Sequence, residues 1–161
     1  MELKIYYINI NGIKSSNNAT KKLFLLQIKN EKPDIICVTE THLQLNQSYT
    51  IPGYYGFYQY RTGRNVRFER GGTAIYIRNN LVASKLILPN NVTSVTECVA
   101  VNVTYGNKNM NIISLYSPPD KPLPTESLIY FSSLTNTIIC SDLNPLRHNV
   151  VNLQRSAKQV L

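Results

Sequence analysis

Six polar residues stand at or just beyond the ends of apolar runs, in places where a side chain could do chemistry. Asn9 and Asn11 follow Ile5-Tyr6-Tyr7-Ile8, and Glu40 follows Ile35-Ile36-Cys37-Val38-Thr39. Tyr116 closes Ile112-Ile113-Ser114-Leu115, and Asp142 and Asn144 follow Ile138-Ile139-Cys140. Loops gather at strand ends and ligands meet a sheet there. A carboxylate against such a run is costly to bury unless it is paired or bound to a metal. Mg²⁺ takes oxygen ligands, typically one or two carboxylates, with water and substrate phosphate completing the shell. Glu40, Asp142 and the amide oxygen of Asn9 meet that need if a sheet brings them together. Any one of these residues alone reads equally as a strand terminator or helix cap. Their shared position is what points to a site.

The elements that would carry them can be read from periodicity and turn signals. Leu3 to Asn9 is a short strand closed by Asn11-Gly12. Ala19 to Lys29 sets Leu23, Leu25, Leu26 and Ile28 among lysines as an amphipathic helix, stopped by Pro33-Asp34. Ile35 to Thr39 is a fully apolar strand, and strand–helix–strand implies a helix packed on a sheet. A loop runs from Gln44 to Gly56. Phe57 to Arg61 and Gly72 to Arg78 then read as neighbouring antiparallel strands. Val95 to Val103 places Val99, Val101 and Val103 on one face, a half-buried strand. Asn107-Lys108-Asn109 turns into Met110 to Tyr116. A Pro-rich break precedes a short helix over Thr125 to Leu134 and a last strand over Thr137 to Asp142. The chain thus reads as one α/β domain with mostly antiparallel sheet; residues 145–161 are polar and weakly patterned.

Composition narrows the partners. The 161 residues carry 17 Lys and Arg against 9 Asp and Glu, a net charge of +8. That sign suits a polyanion, with nucleic acid first. Arg61, Arg64, Arg67, Arg70 and Arg78 form the densest basic stretch. Cys37, Cys98 and Cys140 lie in apolar strands without metal-ligand spacing, so buried free thiols in a reducing intracellular compartment are expected. The N-terminus lacks the pattern of a signal peptide. No run approaches the roughly 20 apolar residues that span a bilayer, so no membrane partner is expected, and nothing indicates an oligomer. The sequons at Asn18, Asn46, Asn91 and Asn102 read as chance matches in an Asn-rich chain.

Five segments, in order, resemble the motifs of the endonuclease/exonuclease/phosphatase superfamily. They are Leu3-Lys4-Ile5 to Asn9-Ile10-Asn11-Gly12, Lys32-Pro33-Asp34-Ile35-Ile36-Cys37-Val38-Thr39-Glu40-Thr41, Gly71 to Arg78, Ser114-Leu115-Tyr116-Ser117-Pro118-Pro119, and Ile138 to Asn144. They are most similar to its branch in non-LTR (LINE-type) retrotransposons, related to apurinic/apyrimidinic endonucleases. The resemblance implies an α/β (α+β) four-layer sandwich, two mostly antiparallel sheets flanked by helices and incomplete at the C-terminus. It implies a Mg²⁺ cofactor (Mn²⁺ as the substitute), a DNA substrate and a nuclear workplace. Glu40 would be the principal Mg²⁺ ligand, assisted by Asn9. Tyr116 would orient the scissile phosphate, Asp142 would activate the attacking water, and Asn144 would stabilise transition-state charge. Asn11 and Arg78 would contact substrate.

The departures are specific. Ile8 stands where relatives carry Trp, and Ser141 replaces the Gly before Asp142, removing backbone freedom. His148 reads as a solvated loop residue. The family's Ser-Asp-His motif does not occur, and His42 cannot supply it by chain order. General-base help of that kind contributes on the order of 10²–10⁴-fold in rate. A weak or inactive endonuclease fragment is therefore expected. Two other readings stay open: another phosphodiesterase or phosphatase of the superfamily, or a non-catalytic basic module using Arg61, Arg64, Arg67 and Arg70 on backbone phosphates.

Overall fold

The computed structural model describes residues 2–15, 19–61, 71–93, 96–118 and 123–143. Their elements run β1 (Ile5–Asn9), α1 (Ala19–Glu31), β2 (Ile35–Thr39), β3 (Tyr54–Gln59), β4 (Thr73–Arg78), β5 (Val82–Lys85), α2 (Asn90–Thr93), β6 (Glu97–Tyr105), β7 (Lys108–Ser117), α3 (Thr125–Ser133) and β8 (Thr137–Leu143). The strands form two four-stranded sheets, ordered β1-β2-β4-β3 and β5-β6-β7-β8. β1 lies parallel to β2 and β7 parallel to β8, while the remaining pairs are antiparallel.

Three cores stack these into four layers. Between the sheets, Ile35, Cys37, Ile75 and Ile77 of the first meet Val99, Val101, Val103 and Ile112 of the second. On the first sheet's outer face, Phe24 and Ile28 of α1 pack with Ile36, Val38, Ala74 and Tyr76. On the second sheet's outer face, Val92 of α2 and Phe131 of α3 cover Cys98, Ala100, Ile113 and Leu115. Burying these apolar faces is what stabilises the layering, at roughly 1.5–3 kcal/mol for each large side chain removed from water.

The valine stripe of β6 faces the inner core as expected. Its opposite face is covered as well, by the two later helices, so β6 is buried on both sides rather than half-buried. α1 buries Phe24 and Ile28, one turn apart, whereas Leu23 and Leu26 stay 62% and 54% exposed. β3 begins at Tyr54, earlier than the expected Phe57, because Pro52-Gly53 ends the preceding loop with Gly53 at φ 87°. β5 and α2 were not foreseen. The thiols of Cys37 and Cys98 are buried, Cys140 is partly so, and all three are free. Cys37 and Cys140 share a hydrogen bond across the inter-sheet core, which with burial raises the Cys37 pKa and lowers that of Cys140. Among the described residues no helix is long and apolar enough to cross a membrane.

Candidate active site

Strand direction brings the polar residues to one edge. β1 and β2 end there, as do β7 and β8, while β4 and β6 start there. Asn9 closes β1, and Glu40 follows β2. Tyr116 and Asp142 sit opposite each other in the β7–β8 register, and Glu97 sits opposite Tyr116 across β6–β7. Ser114 Oγ donates to the Val38 carbonyl at 3.3 Å and Thr73 Oγ1 to the Ser114 carbonyl at 3.4 Å, tying the two sheets just beneath the site.

The loops at this edge are bonded to one another. Ile10, Gly12 and Ile13 donate their N–H groups to the carbonyls of Thr39, Glu40 and Thr41 at 3.0, 2.8 and 3.0 Å. Thr41 and His42 donate to Gly72 and Gly71 at 3.1 and 2.9 Å. Asn11, Glu40 and His42 adopt left-handed backbone at φ 47°, 52° and 53°. Such conformations cost of order 1 kcal/mol or more each outside glycine and persist where surrounding bonds over-determine them.

At the centre, the Asn9 amide nitrogen donates to Glu40 Oε1 at 2.9 Å and to Asp142 Oδ2 at 2.6 Å. One NH₂ group thus bridges two carboxylates that belong to different sheets. Asn9 Oδ1 accepts the Asn11 N–H at 3.2 Å. The expected use of that oxygen as a ligand would therefore require the amide to turn over. The Asn11 side chain is exposed, and its backbone serves the turn. Tyr116 is buried at 4% exposure and hydrogen-bonds Glu40. Its pKa is raised, chiefly by burial and then by the charge of Glu40, with Glu97 and Asp142 adding to it.

The donor set fits a hard divalent cation. Two carboxylates and an amide converge, and among the described residues no cluster of three or more His, Cys, Asp or Glu side chains points instead to a transition-metal site. Glu40, Asp142 and, with its amide turned, Asn9 are the groups that would hold one.

Arg78 must be removed from the site. β4 runs antiparallel to β2, pairing Thr73 with Thr39 but Ile77 with Ile35, so Arg78 lies at the far end of the sheet. There its guanidinium meets Asp34 at 2.9 Å. Asn144 lies outside the described residues, as do Arg64, Arg67, Arg70 and His148.

Three further residues belong to the site. His42 Nε2 stands 3.5 Å from Glu40 Oε2, an electrostatic contact too long for a hydrogen bond, and that nitrogen is otherwise buried without a partner. Chain order had excluded His42 from one family role, yet the left-handed turns fold it back onto Glu40. Glu97 was also missed. Its signal was a carboxylate abutting an apolar strand, at the start of an antiparallel strand rather than the end of a parallel one. Tyr7 hydrogen-bonds Thr39 Oγ1 at 3.1 Å. Burial pushes its pKa from 10.0 up to about 12, with the Thr39 bond opposing and the Asp142 charge adding. A phenol whose folded pKa is raised contributes stability that is present below its unfolded pKa and lost as pH rises through the folded one. Absorbance titration at 295 nm should therefore show a component near pH 12 that Tyr7→Phe removes, and wild-type stability should fall between pH 10 and 12.

With the geometry in place, residues 7–152 match the endonuclease/exonuclease/phosphatase family along most of the chain. The chain belongs to that family. Among solved structures, this family member is similar to the endonuclease domain of TRAS1, a telomere-specific non-LTR retrotransposon. The identity is 19% and the TM-score 0.63, over 88% of this chain and 60% of that one. The human Nocturnin catalytic domain gives 16%, 0.61, 88% and 64%, and the Xenopus laevis APE2 catalytic domain gives 19%, 0.56, 88% and 58%. At these identities the likeness establishes the fold, the expected layered sandwich. The chain spans less than two thirds of the length of each. No curated protein matches it.

Proposed function

We propose that this family member is a Mg²⁺-dependent phosphodiester hydrolase acting on DNA, of the non-LTR retrotransposon endonuclease type. The observation that carries this is the Asn9 amide bridging Glu40 and Asp142, with Tyr116 against Glu40. The amide's partial positive charge lies where two carboxylates from different sheets need a cation. A bound divalent cation would neutralise charge developing on phosphoryl oxygens. Glu40 and Asn9 would hold it. Tyr116, kept neutral by burial, remains a hydrogen-bond donor able to orient a phosphate oxygen. Asp142 takes the proton of the attacking water as the new phosphorus–oxygen bond forms. The bond to the leaving sugar oxygen then breaks, and that oxygen takes a proton from solvent. Asn144 is assigned the stabilisation of charge on the five-coordinate phosphorus. The net charge of +8 and the likeness to TRAS1 support DNA as substrate and the nucleus as workplace.

The sequence contains no Ser-Asp-His, so slow turnover is expected from these residues. The test is nicking of supercoiled plasmid with Mg²⁺, with Mn²⁺ and in EDTA. Cleavage should require the metal and fall to the no-protein level in Glu40→Ala. Cleavage that survives this substitution would overturn the assignment. Salt-dependent DNA binding in EDTA, with no cleavage under any metal, would instead mark a non-catalytic basic module. A phosphomonoester or inositol-phosphate substrate hydrolysed in preference to DNA would move the chain to another branch of the family.

A further inference from the structure

Glu97 opens β6 with its side chain only 16% exposed. A carboxylate held so far from water needs partners. Its Oε2 accepts the Gly72 N–H at 2.6 Å, and its Oε1 faces Arg61 Nε at 3.4 Å. The Gly72 carbonyl accepts the Thr41 N–H, and the Gly71 carbonyl accepts that of His42. Those two residues immediately follow Glu40. A chain of bonds therefore runs from the second sheet, where Glu97 neighbours Tyr116, through Gly71-Gly72 to the Glu40 loop on the first.

We propose that Glu97 is the positioning residue that joins the two halves of this site, gripping the Gly72 N–H and the Arg61 guanidinium and thereby setting the Glu40 loop against Tyr116 and Asp142. The inner core fixes the apolar middles of the sheets, whereas the loops above them are set by polar ties. Of these, Glu97 reaches across the sheets beside Glu40. Both glycines are suited to it. Gly71 and Gly72 adopt φ +95° and +80°, and a Cβ at Gly71 would collide with the Glu97 carboxylate. Arg61 also opens the 61–70 segment that carries Arg64, Arg67 and Arg70. One carboxylate thus anchors the start of the most basic stretch beside the site. The functional half of this inference rests on Glu40 being the cation ligand proposed above.

The experiment is backbone amide NMR of the whole chain, first without metal and then titrated with Mg²⁺ alone. In Glu97→Ala the Gly72, Thr41 and His42 amides should shift, and Mg²⁺ affinity should fall on the order of 10-fold, as for other groups that orient metal ligands. Glu97→Gln keeps an acceptor for Gly72 and loses only the charge facing Arg61. It should leave those three amides and the Mg²⁺ affinity near wild type, a rescue that general loss of structure would not show. Glu97→Asp, drawn back by one methylene, should displace the same amides less and serves if the alanine variant does not fold. Unmoved Thr41 and His42 amides in both Ala and Asp variants would overturn the tie. So would equal loss of Mg²⁺ affinity in Ala and Gln. The amide shifts are read without metal, so they judge the tie even if wild type fails to bind Mg²⁺, a failure that counts against the proposed function instead.

Discussion

Asn9→Asp is expected to destabilise the chain by about 2–4 kcal/mol at pH 7 without divalent metal, and millimolar Mg²⁺ is expected to return much of that loss. Wild-type Asn9 gives one NH₂ group to Glu40 at 2.9 Å and Asp142 at 2.6 Å. Hydrogen bonds to charged groups contribute roughly 1.5–3 kcal/mol each, and the substitution removes both. It also sets a third carboxylate against two others, so like charges replace a charge–dipole attraction. Glu40 keeps 18% of its side chain exposed, and solvent screening there holds the figure below the sum of its parts. A loss of this size is a large share of the roughly 5–15 kcal/mol that holds a domain folded. A cation bound by the folded state stabilises it by about 2.7 kcal/mol when its concentration is 100 times its dissociation constant. Urea unfolding of wild type and variant, each with and without Mg²⁺, gives all four values. A variant as stable as wild type would mean that the bridge contributes nothing. A variant destabilised but indifferent to Mg²⁺ would remove the case for a cation between these carboxylates.

The reasoning that found Asn9, Glu40 and Asp142 from sequence also shows where such reasoning stops. β2 was legible to the residue because Ile35 to Thr39 is buried on both faces and bounded by Pro33-Asp34 and Glu40. β5 was not, since Val82–Lys85 is mostly exposed and has no apolar alternation to read. α2 is a single turn of Asn-rich sequence, whose residues favour turns as much as helices. In α1 the leucines drew attention, yet the packed positions are Phe24 and Ile28. Four leucine and isoleucine residues within one short helix cannot all face a sheet, and periodicity alone does not choose the face. Arg78 was misplaced for a related reason. A strand's residues can be read from the chain, but which end meets the site depends on its pairing direction, and β4 runs opposite to β2. Glu97 and His42 were missed by the same logic, one at an antiparallel strand's start and the other turned back by left-handed backbone. Loop geometry and strand direction are tertiary facts, and these functional details live there.

Gly71→Ala should cost about 3–5 kcal/mol, close to the loss of a large core side chain, although it adds only a methyl group. Two penalties combine. Left-handed backbone disfavours any Cβ by roughly 1–2 kcal/mol, and Gly71 holds φ +95°. The new methyl would also occupy the space of the Glu97 carboxylate, whose Cδ would lie 3.1 Å away. Glu97 would have to withdraw, losing a charge-assisted bond to Gly72 worth about 1.5–3 kcal/mol and leaving that N–H without its acceptor. Gly53→Ala provides the control. Gly53 is also left-handed, at φ +87°, but its Cβ would meet nothing within 4 Å. It should therefore show the backbone penalty alone, roughly 1–2 kcal/mol. The difference between the two variants in urea unfolding measures the steric part, and Glu97→Gln, which leaves the methyl the same neighbour, should not reduce it. Removing the neighbour should. In a Glu97→Ala background the cost of Gly71→Ala is expected to drop to near that of Gly53→Ala. Additivity in that double-mutant cycle would show that Gly71 and Glu97 do not interact, and that the glycine is required by backbone conformation only.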